Sequence, residues 1–129
     1  MKTFEKRIIV SLDDLDDLDH VNNVCYVQWI QDISKEHWQT VALDELKAGI
    51  IWVVRNHNID YKSSAILGDD IILRTRIVDT KGAISVRRVE MFNSKTNELL
   101  VRSNTEWCLL NANTLKPIRI SEAIKEVFT

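Results

Sequence analysis

The chain has 129 residues, of which 45% are hydrophobic, and a formal net charge of -2. These values predict a single globular domain over residues 1–129 that can bury an apolar core, and the slightly acidic balance argues against broad binding of nucleic acid. Residues 1–7 lack the apolar segment of a signal peptide, and the longest uncharged apolar run, around residues 49–54, is too short to cross a bilayer, so we expect a cytoplasmic protein without a membrane span.

The predicted elements begin with a strand and a long helix. Residues 4–11 alternate in polarity and predict the first strand. From about residue 22 to residue 41, apolar side chains recur at steps of three and four, which predicts a five-turn helix with one buried face. Asn22 or Asn23 can cap its start, because a short amide side chain accepts hydrogen bonds from free N–H groups. Residues 44–48 predict one further helical turn.

Beyond residue 50 the hydrophobic period changes to two, which predicts strands. The predicted strands cover four ranges: 50–61, 70–79, 83–92 and 98–110. A short last helix is predicted to begin at Ser121, a good N-cap. A five-stranded antiparallel sheet with one long apolar-faced helix on it is an α+β fold.

The stretch from Asp14 to Tyr26 is an acidic loop that runs into the start of the long helix. It places carboxylates beside a helix N-terminus, whose unpaired N–H groups and positive dipole end stabilise developing negative charge. This combination predicts acyl-transfer or hydrolytic chemistry. A calcium loop of the EF-hand type is excluded, because Leu18, Asp19 and Cys25 occupy the positions that need an oxygen ligand, a glycine and a glutamate.

The remaining histidines and the cysteines do not predict a second functional site. His37 and His57 stand alone on a predicted helix and a predicted strand, and no His/Cys cluster has metal-ligand spacing, so neither a metal nor a cofactor is expected. Cys25 and Cys108 are isolated and are expected to be reduced, buried thiols, as in a cytoplasmic protein.

The acidic loop resembles the signature of hot-dog-fold acyl-CoA thioesterases of the 4-hydroxybenzoyl-CoA thioesterase type. The matching positions are Asp14, Asp16, His20, Val21, Asn22, Asn23 and Tyr26. The resemblance implies the hot-dog fold, in which the sheet wraps around the long helix. It also implies a homodimer or a dimer of dimers, with copies joined edge to edge and active sites at their interface. The implied substrate is an acyl-CoA or an acyl carrier protein thioester, hydrolysed to free acid and thiol.

The resemblance assigns Asp16 the catalytic carboxylate, as a nucleophile on the thioester carbonyl or as a general base on water. It places the oxyanion donor at the backbone N–H of Asn23 or of the adjacent Val24. His20 either orients the carboxylate and substrate or holds the loop by a structural hydrogen bond.

Further residues are assigned to substrate binding, each with a structural alternative. Tyr26 lines the acyl pocket or packs in the core, and the Asn22 side chain is favoured as a cap. Lys62, Arg87 and Arg88 are candidates for the phosphates of coenzyme A, although each is more typical of a solvated strand residue.

Asp19 departs from the family pattern, which has glycine before the histidine. Aspartate tolerates a left-handed backbone better than most residues, so the turn is expected to survive. A second carboxylate near Asp16 disfavours ionisation of both. This departure is the best support for an alternative function, a non-catalytic module of the same fold that binds or assembles acyl thioesters.

Overall fold

The computed structural model describes residues 2–129 and contains the predicted elements in the predicted order. The elements are β1 (Phe4–Ile9), α1 (Asn23–Val41), α2 (Asp44–Lys47), β2 (Ile50–Tyr61), β3 (Asp70–Lys81), β4 (Ile84–Asn93), β5 (Leu99–Asn111) and α3 (Glu122–Glu126). Caps define the helix starts as expected: the Asn22 side chain accepts from the N–H of Val24, and the Ser121 side chain accepts from the N–H of Ile124.

The five strands form one antiparallel sheet in the order β1-β3-β4-β5-β2. The succession along the chain is therefore not the order in space, because β2 pairs with β5 and β3 pairs with β1. Connection length explains the difference. Short turns join β3 to β4 and β4 to β5, whereas residues 62–69 form a longer connection that carries the chain from the β2 edge across the sheet to β3, next to the β1 edge.

Helix α1 covers one face of the sheet along its whole length. The predicted inward face of β3, Ile71 to Ile77 at alternate positions, is buried against it. One core cluster packs around Tyr26 and Ile30 in the first half of α1, and a second packs around Trp38 near its end. The two halves of the helix therefore pack against two separate hydrophobic clusters. None of the helices within residues 2–129 is long and apolar enough to span a membrane.

Strands β1 and β2 are the two edges of the sheet, and they differ in character. β1 has six residues and carries ion pairs from Lys6 to Glu36 and from Arg7 to Asp70. β2 has twelve residues and begins with an uncharged run in which Val53 is 37% exposed. Charged side chains protect an edge from pairing, so β2 is the less protected edge.

Candidate active site at the start of the long helix

A small ribbon holds the acidic loop against the start of α1. Leu15 pairs with Val21 in an antiparallel bridge, and the N–H of Asn22 donates to the carbonyl oxygen of Asp14 at 2.8 Å. The N–H of Asp16 likewise donates to the carbonyl oxygen of His20 at 2.7 Å. The loop is therefore folded back along the residues that enter the helix.

The Asp16 carboxylate closes the tip of this ribbon. Its Oδ1 accepts hydrogen bonds from the backbone N–H groups of Leu18 at 2.8 Å and His20 at 3.1 Å. Within residues 2–129, Oδ2 of Asp16 makes no hydrogen bond, and the residue is half-buried. One oxygen thus fixes the position of the carboxylate while the other is available for chemistry.

Asp19 adopts the backbone conformation that the family pattern reserves for glycine. Its φ angle is +60°, and its N–H donates to the carbonyl oxygen of Asp16 at 3.1 Å. The turn is therefore built with aspartate in the left-handed region, as expected from the tolerance of that residue.

The first N–H groups of α1 differ in whether they are already bonded. The N–H of Val24 donates to Asn22 Oδ1 at 2.9 Å, and the N–H of Cys25 donates to the Asn22 carbonyl oxygen at 2.9 Å. Within the described chain, the N–H of Asn23 makes no hydrogen bond. Of the two positions suggested by the sequence, Asn23 is therefore the one with an unoccupied donor.

The Cys25 thiol is half-buried next to Asp14, with its sulfur 3.6 Å from the Asp14 carbonyl oxygen. Burial and the Asp14 carboxylate raise the pKa of the Cys25 thiol. A thiol in this state is a poor nucleophile, because the thiolate is the reactive form. Asp14 itself accepts from Ser11 through Oδ2, so it serves to hold the loop.

Tyr26 is buried one turn into the helix and has a structural partner. Its hydroxyl accepts from the N–H of Ala65 at 3.1 Å, and its ring contacts Trp29 and Tyr61 with centroid separations of 5.6 and 5.8 Å. Burial raises the pKa of the Tyr26 phenol, so it stays protonated at neutral pH. These contacts fit the core-packing interpretation.

Residues 62–69, the connection between β2 and β3, hold the acidic loop in place through backbone hydrogen bonds. The sequence analysis did not predict this role. The N–H of Val21 donates to the carbonyl oxygen of Ala65 at 2.9 Å, and the backbones of His20 and Ile66 pair in an isolated antiparallel β-bridge. The imidazole of His20 is exposed. Gly68, with a φ of +83°, forms the turn at the end of this segment. It is the residue of the segment that could have indicated a turn from the sequence.

The three basic candidates for phosphate binding do not come together. Lys62 is exposed and follows Tyr61, which contacts Tyr26 near the start of α1. Arg88 lies on the sheet face opposite the helix and donates to Asn104. Arg87 is buried beneath the second half of α1, because β4 alternates and Arg87 shares the inward face with Val89. Only Lys62 lies at the end of the molecule that holds Asp16.

Within residues 2–129, no group of three or more His, Cys, Asp or Glu side chains could hold a metal ion.

A family model described as the acyl-ACP thioesterase N-terminal domain matches residues 1–128. No curated protein sequence matches the chain.

Solved structures share the fold at low sequence identity. A thioesterase from Thermus thermophilus complexed with coenzyme A and Zn is 24% identical, with a TM-score of 0.84 over 96% of this chain and 90% of that one. A 1,4-dihydroxy-2-naphthoyl-CoA thioesterase from Synechocystis is 17% identical, with a TM-score of 0.85 over 98% and 96%. A 12:0-ACP thioesterase from Umbellularia californica is 17% identical, with a TM-score of 0.85 over 98% of this chain but 51% of that one. These likenesses confirm the predicted hot-dog fold.

Proposed function

The chain belongs to the acyl-ACP thioesterase N-terminal domain family and is a thioester hydrolase, and we propose that it hydrolyses an acyl-CoA to free acid and coenzyme A at the start of α1. An acyl carrier protein thioester is the alternative substrate with the same reacting group. The observation that carries the proposal is the juxtaposition of a fixed carboxylate, Asp16, with a helix N-terminus whose Asn23 N–H is unoccupied.

Asp16 supplies the carboxylate, as in the 4-hydroxybenzoyl-CoA thioesterase type that the loop resembles. The first turn of α1 contains no acidic residue, so no acid at the helix start competes with Asp16 for this role. The two N–H groups on Oδ1 hold the side chain in place.

Two chemical routes are compatible with this geometry. As a general base, Asp16 takes a proton from water while the water oxygen attacks the thioester carbon; the C–S bond then breaks and the proton passes to the leaving sulfur. As a nucleophile, Asp16 itself attacks, the thiolate leaves, and water hydrolyses the resulting anhydride. In both routes the carbonyl oxygen becomes negative, and the Asn23 N–H at the positive end of α1 stabilises it.

The exposed surroundings of this site suit a large thioester more than a small buried substrate. Lys62 provides a positive charge near the loop for a phosphate of coenzyme A, while His20 presents an exposed imidazole beside Asp16. The Thermus thermophilus structure contains coenzyme A, which supports a CoA thioester for this chain as well. Both cysteines are free thiols, which supports a cytoplasmic location.

A thiol-release assay with a panel of acyl-CoA and acyl carrier protein thioesters tests the proposal. We expect turnover with at least one acyl-CoA and loss of that turnover in Asp16→Asn. Saturable binding of acyl-CoA without any thiol release across the panel would contradict hydrolysis and favour the binding module.

A further inference from the structure

A cavity lies beneath the second half of α1, away from the Asp16 loop. Its volume is about 320 Å³, and its walls include the side chains of Trp38, Trp52, Trp107 and Phe128. Ser34, the first helix residue in its wall, follows Asn23 by eleven positions, which is about 16 Å along the helix axis. The cavity is therefore not part of the site at the start of the same helix.

Arg87 points a buried positive charge at this cavity without a counter-ion. The residue is 3% exposed, and within residues 2–129 it makes no ion pair with a carboxylate. Its Nη1 donates to Nδ1 of His37 at 2.9 Å and to Oγ1 of Thr75 at 3.0 Å, and its guanidinium lies 5.4 Å from the ring centroid of Phe128. All of these partners are neutral.

His37 cannot supply the missing negative charge. Burial and the neighbouring Arg87 and Lys2 lower the pKa of His37 to about 4, so the ring is neutral at physiological pH. Burial lowers the pKa of Arg87 to about 9, which still leaves it a cation. Burying a charge without a counter-charge is costly, so an anionic ligand in the cavity would supply the counter-charge that Arg87 lacks.

The rest of the wall also has more donors than acceptors. Among the described residues, no Asp or Glu lines the cavity, whereas Lys35 and Lys47 do. Lys47 is paired with the exposed Asp44. The indole nitrogens of Trp52 and Trp107 are buried and have no hydrogen-bond partner in the part of the chain that the structure describes. Aromatic walls around a donor-rich, cationic floor suit a flat apolar molecule that bears an anionic group.

We propose that this cavity binds an organic carboxylate, whose apolar body lies against the aromatic side chains of the wall and whose carboxylate pairs with the free donors of Arg87. A carboxylate accepts two parallel hydrogen bonds from a guanidinium, and such pairs are among the strongest in proteins. The carboxylate belongs either to a separate small acid or to the far end of a thioester's acyl group.

Tryptophan fluorescence measures binding directly, because three of the four tryptophans line the cavity. Titration with phenylacetate or octanoate should give a saturable change in emission. The neutral amides of the same acids should bind at least about tenfold more weakly. A hydrogen bond to a charged group contributes more free energy than a tenfold difference in affinity requires. Equal responses to acid and amide, or no saturable response to either acid, would overturn the proposal.

Variants of Arg87 identify the group responsible. Arg87→Met should weaken phenylacetate binding by about tenfold or more while the melting temperature stays level or rises, because an uncompensated buried charge has been removed. Arg76→Met, which removes a guanidinium from the outer face of β3, should leave binding unchanged. If Arg87→Met does not fold, Arg87→Lys, which keeps the charge but not the paired donors, should still bind the acid more weakly than the wild type. Wild-type affinity in a folded Arg87 variant would refute the assignment.

The two sources of the carboxylate are separated by turnover of hexadecanedioyl-CoA against hexadecanoyl-CoA, because the cavity begins about 16 Å along the helix from Asn23 and only a long acyl group can reach it. This arm depends on the proposed thioesterase activity, whereas the fluorescence titration does not. A wild-type preference for hexadecanedioyl-CoA over hexadecanoyl-CoA that disappears in Arg87→Met supports an acyl-group carboxylate. Phenylacetate binding that depends on Arg87 without any such preference supports a separate acid.

Discussion

At the scale of single residues, Asp16 combines a structural role with a proposed chemical one. Its Oδ1 closes the loop through the N–H groups of Leu18 and His20, so the position of the carboxylate is fixed before any substrate binds. A catalytic group held in this way does not have to be oriented at the moment of reaction. Substitutions of Asp16 therefore have to separate lost chemistry from lost loop structure.

Asp16→Asn makes that separation. The amide oxygen of asparagine can still accept both backbone hydrogen bonds, so the midpoint of urea unfolding should change little. The charge is lost, so kcat for acyl-CoA hydrolysis should fall by about two orders of magnitude or more, the scale for loss of a general base.

Asp13→Asn and Asp17→Asn are the matched controls, because both residues are exposed in the same acidic loop. They should retain nearly full activity. Equal losses in all three variants would mean that the charge of the loop matters and that Asp16 has no special role. Full activity in Asp16→Asn would reject the assignment.

His37 gives the stability of the protein a specific pH dependence. Its pKa is about 4 in the folded state against an ordinary 6.5, so between these values the unfolded chain binds the extra proton. The corresponding stability is complete above pH 6.5 and is lost as the pH falls towards 4. At about 1.4 kcal/mol per pKa unit, the loss amounts to about 3 kcal/mol.

Urea unfolding of the wild type and of His37→Asn between pH 4 and pH 7 checks this expectation. Asparagine places an acceptor near the position of Nδ1 but does not titrate, so the wild type should lose more stability than the variant over this range. Parallel curves for the two proteins would contradict the prediction.

At the scale of elements, the turn at residues 16–19 depends on a left-handed residue. Asp19 has a φ of +60°, which a β-branched residue adopts only with strain. Asp19→Val should destabilise the protein by about 1–2 kcal/mol, whereas Asp19→Gly should not. Asp19→Gly should also keep its thioesterase activity, because it restores the family residue and preserves the turn.

Asp17→Val is the control for the Asp19 substitutions, since it removes a neighbouring exposed carboxylate at a position without a positive φ. Urea unfolding should show a smaller loss for Asp17→Val than for Asp19→Val. If both variants lose the same stability, the backbone conformation is not the cause.

Local patterns predicted the elements well because hydrophobic period, caps and turns are written in neighbouring residues. The burial of Ile71 and Ile77 on one face of β3 followed from a period of two, and the helix start followed from Asn22. The pairing of β2 with β5 could not be predicted in the same way, because it depends on the path of residues 62–69 across the sheet.

The two candidate sites differ in the same way, because one is formed by residues that are adjacent in the sequence and the other by residues that are far apart in it. The helix start and the Asp16 loop are adjacent in sequence, so their proximity was predictable. The contact of Arg87 with His37 joins β4 to α1, fifty positions apart, and neither residue carries a sequence motif. The alternation of β4 indicated which face Arg87 occupies, but only the packed structure shows that no carboxylate among residues 2–129 pairs with it there.

At the scale of the whole molecule, the sheet leaves two edges, and their side chains predict which one pairs. β1 is short and charged, whereas β2 offers twelve residues and an uncharged start. An unprotected long edge is usually covered by another strand. We therefore expect two copies to join through β2, as the family resemblance also implies.

Light scattering measures the expected assembly. At micromolar concentration the wild type should have at least twice the 15.0 kDa mass of the chain, as a dimer or a dimer of dimers. Val53→Lys places a charge on the β2 edge and should shift the protein towards the single-chain mass, whereas Ile9→Lys on the β1 edge should not. A wild-type protein of 15.0 kDa would contradict pairing, and an equal shift in both variants would mean that β2 is not the edge used. Because the implied active sites lie between the copies, dissociation in Val53→Lys should also lower acyl-CoA turnover, and a fully active monomer would show that one chain completes the site.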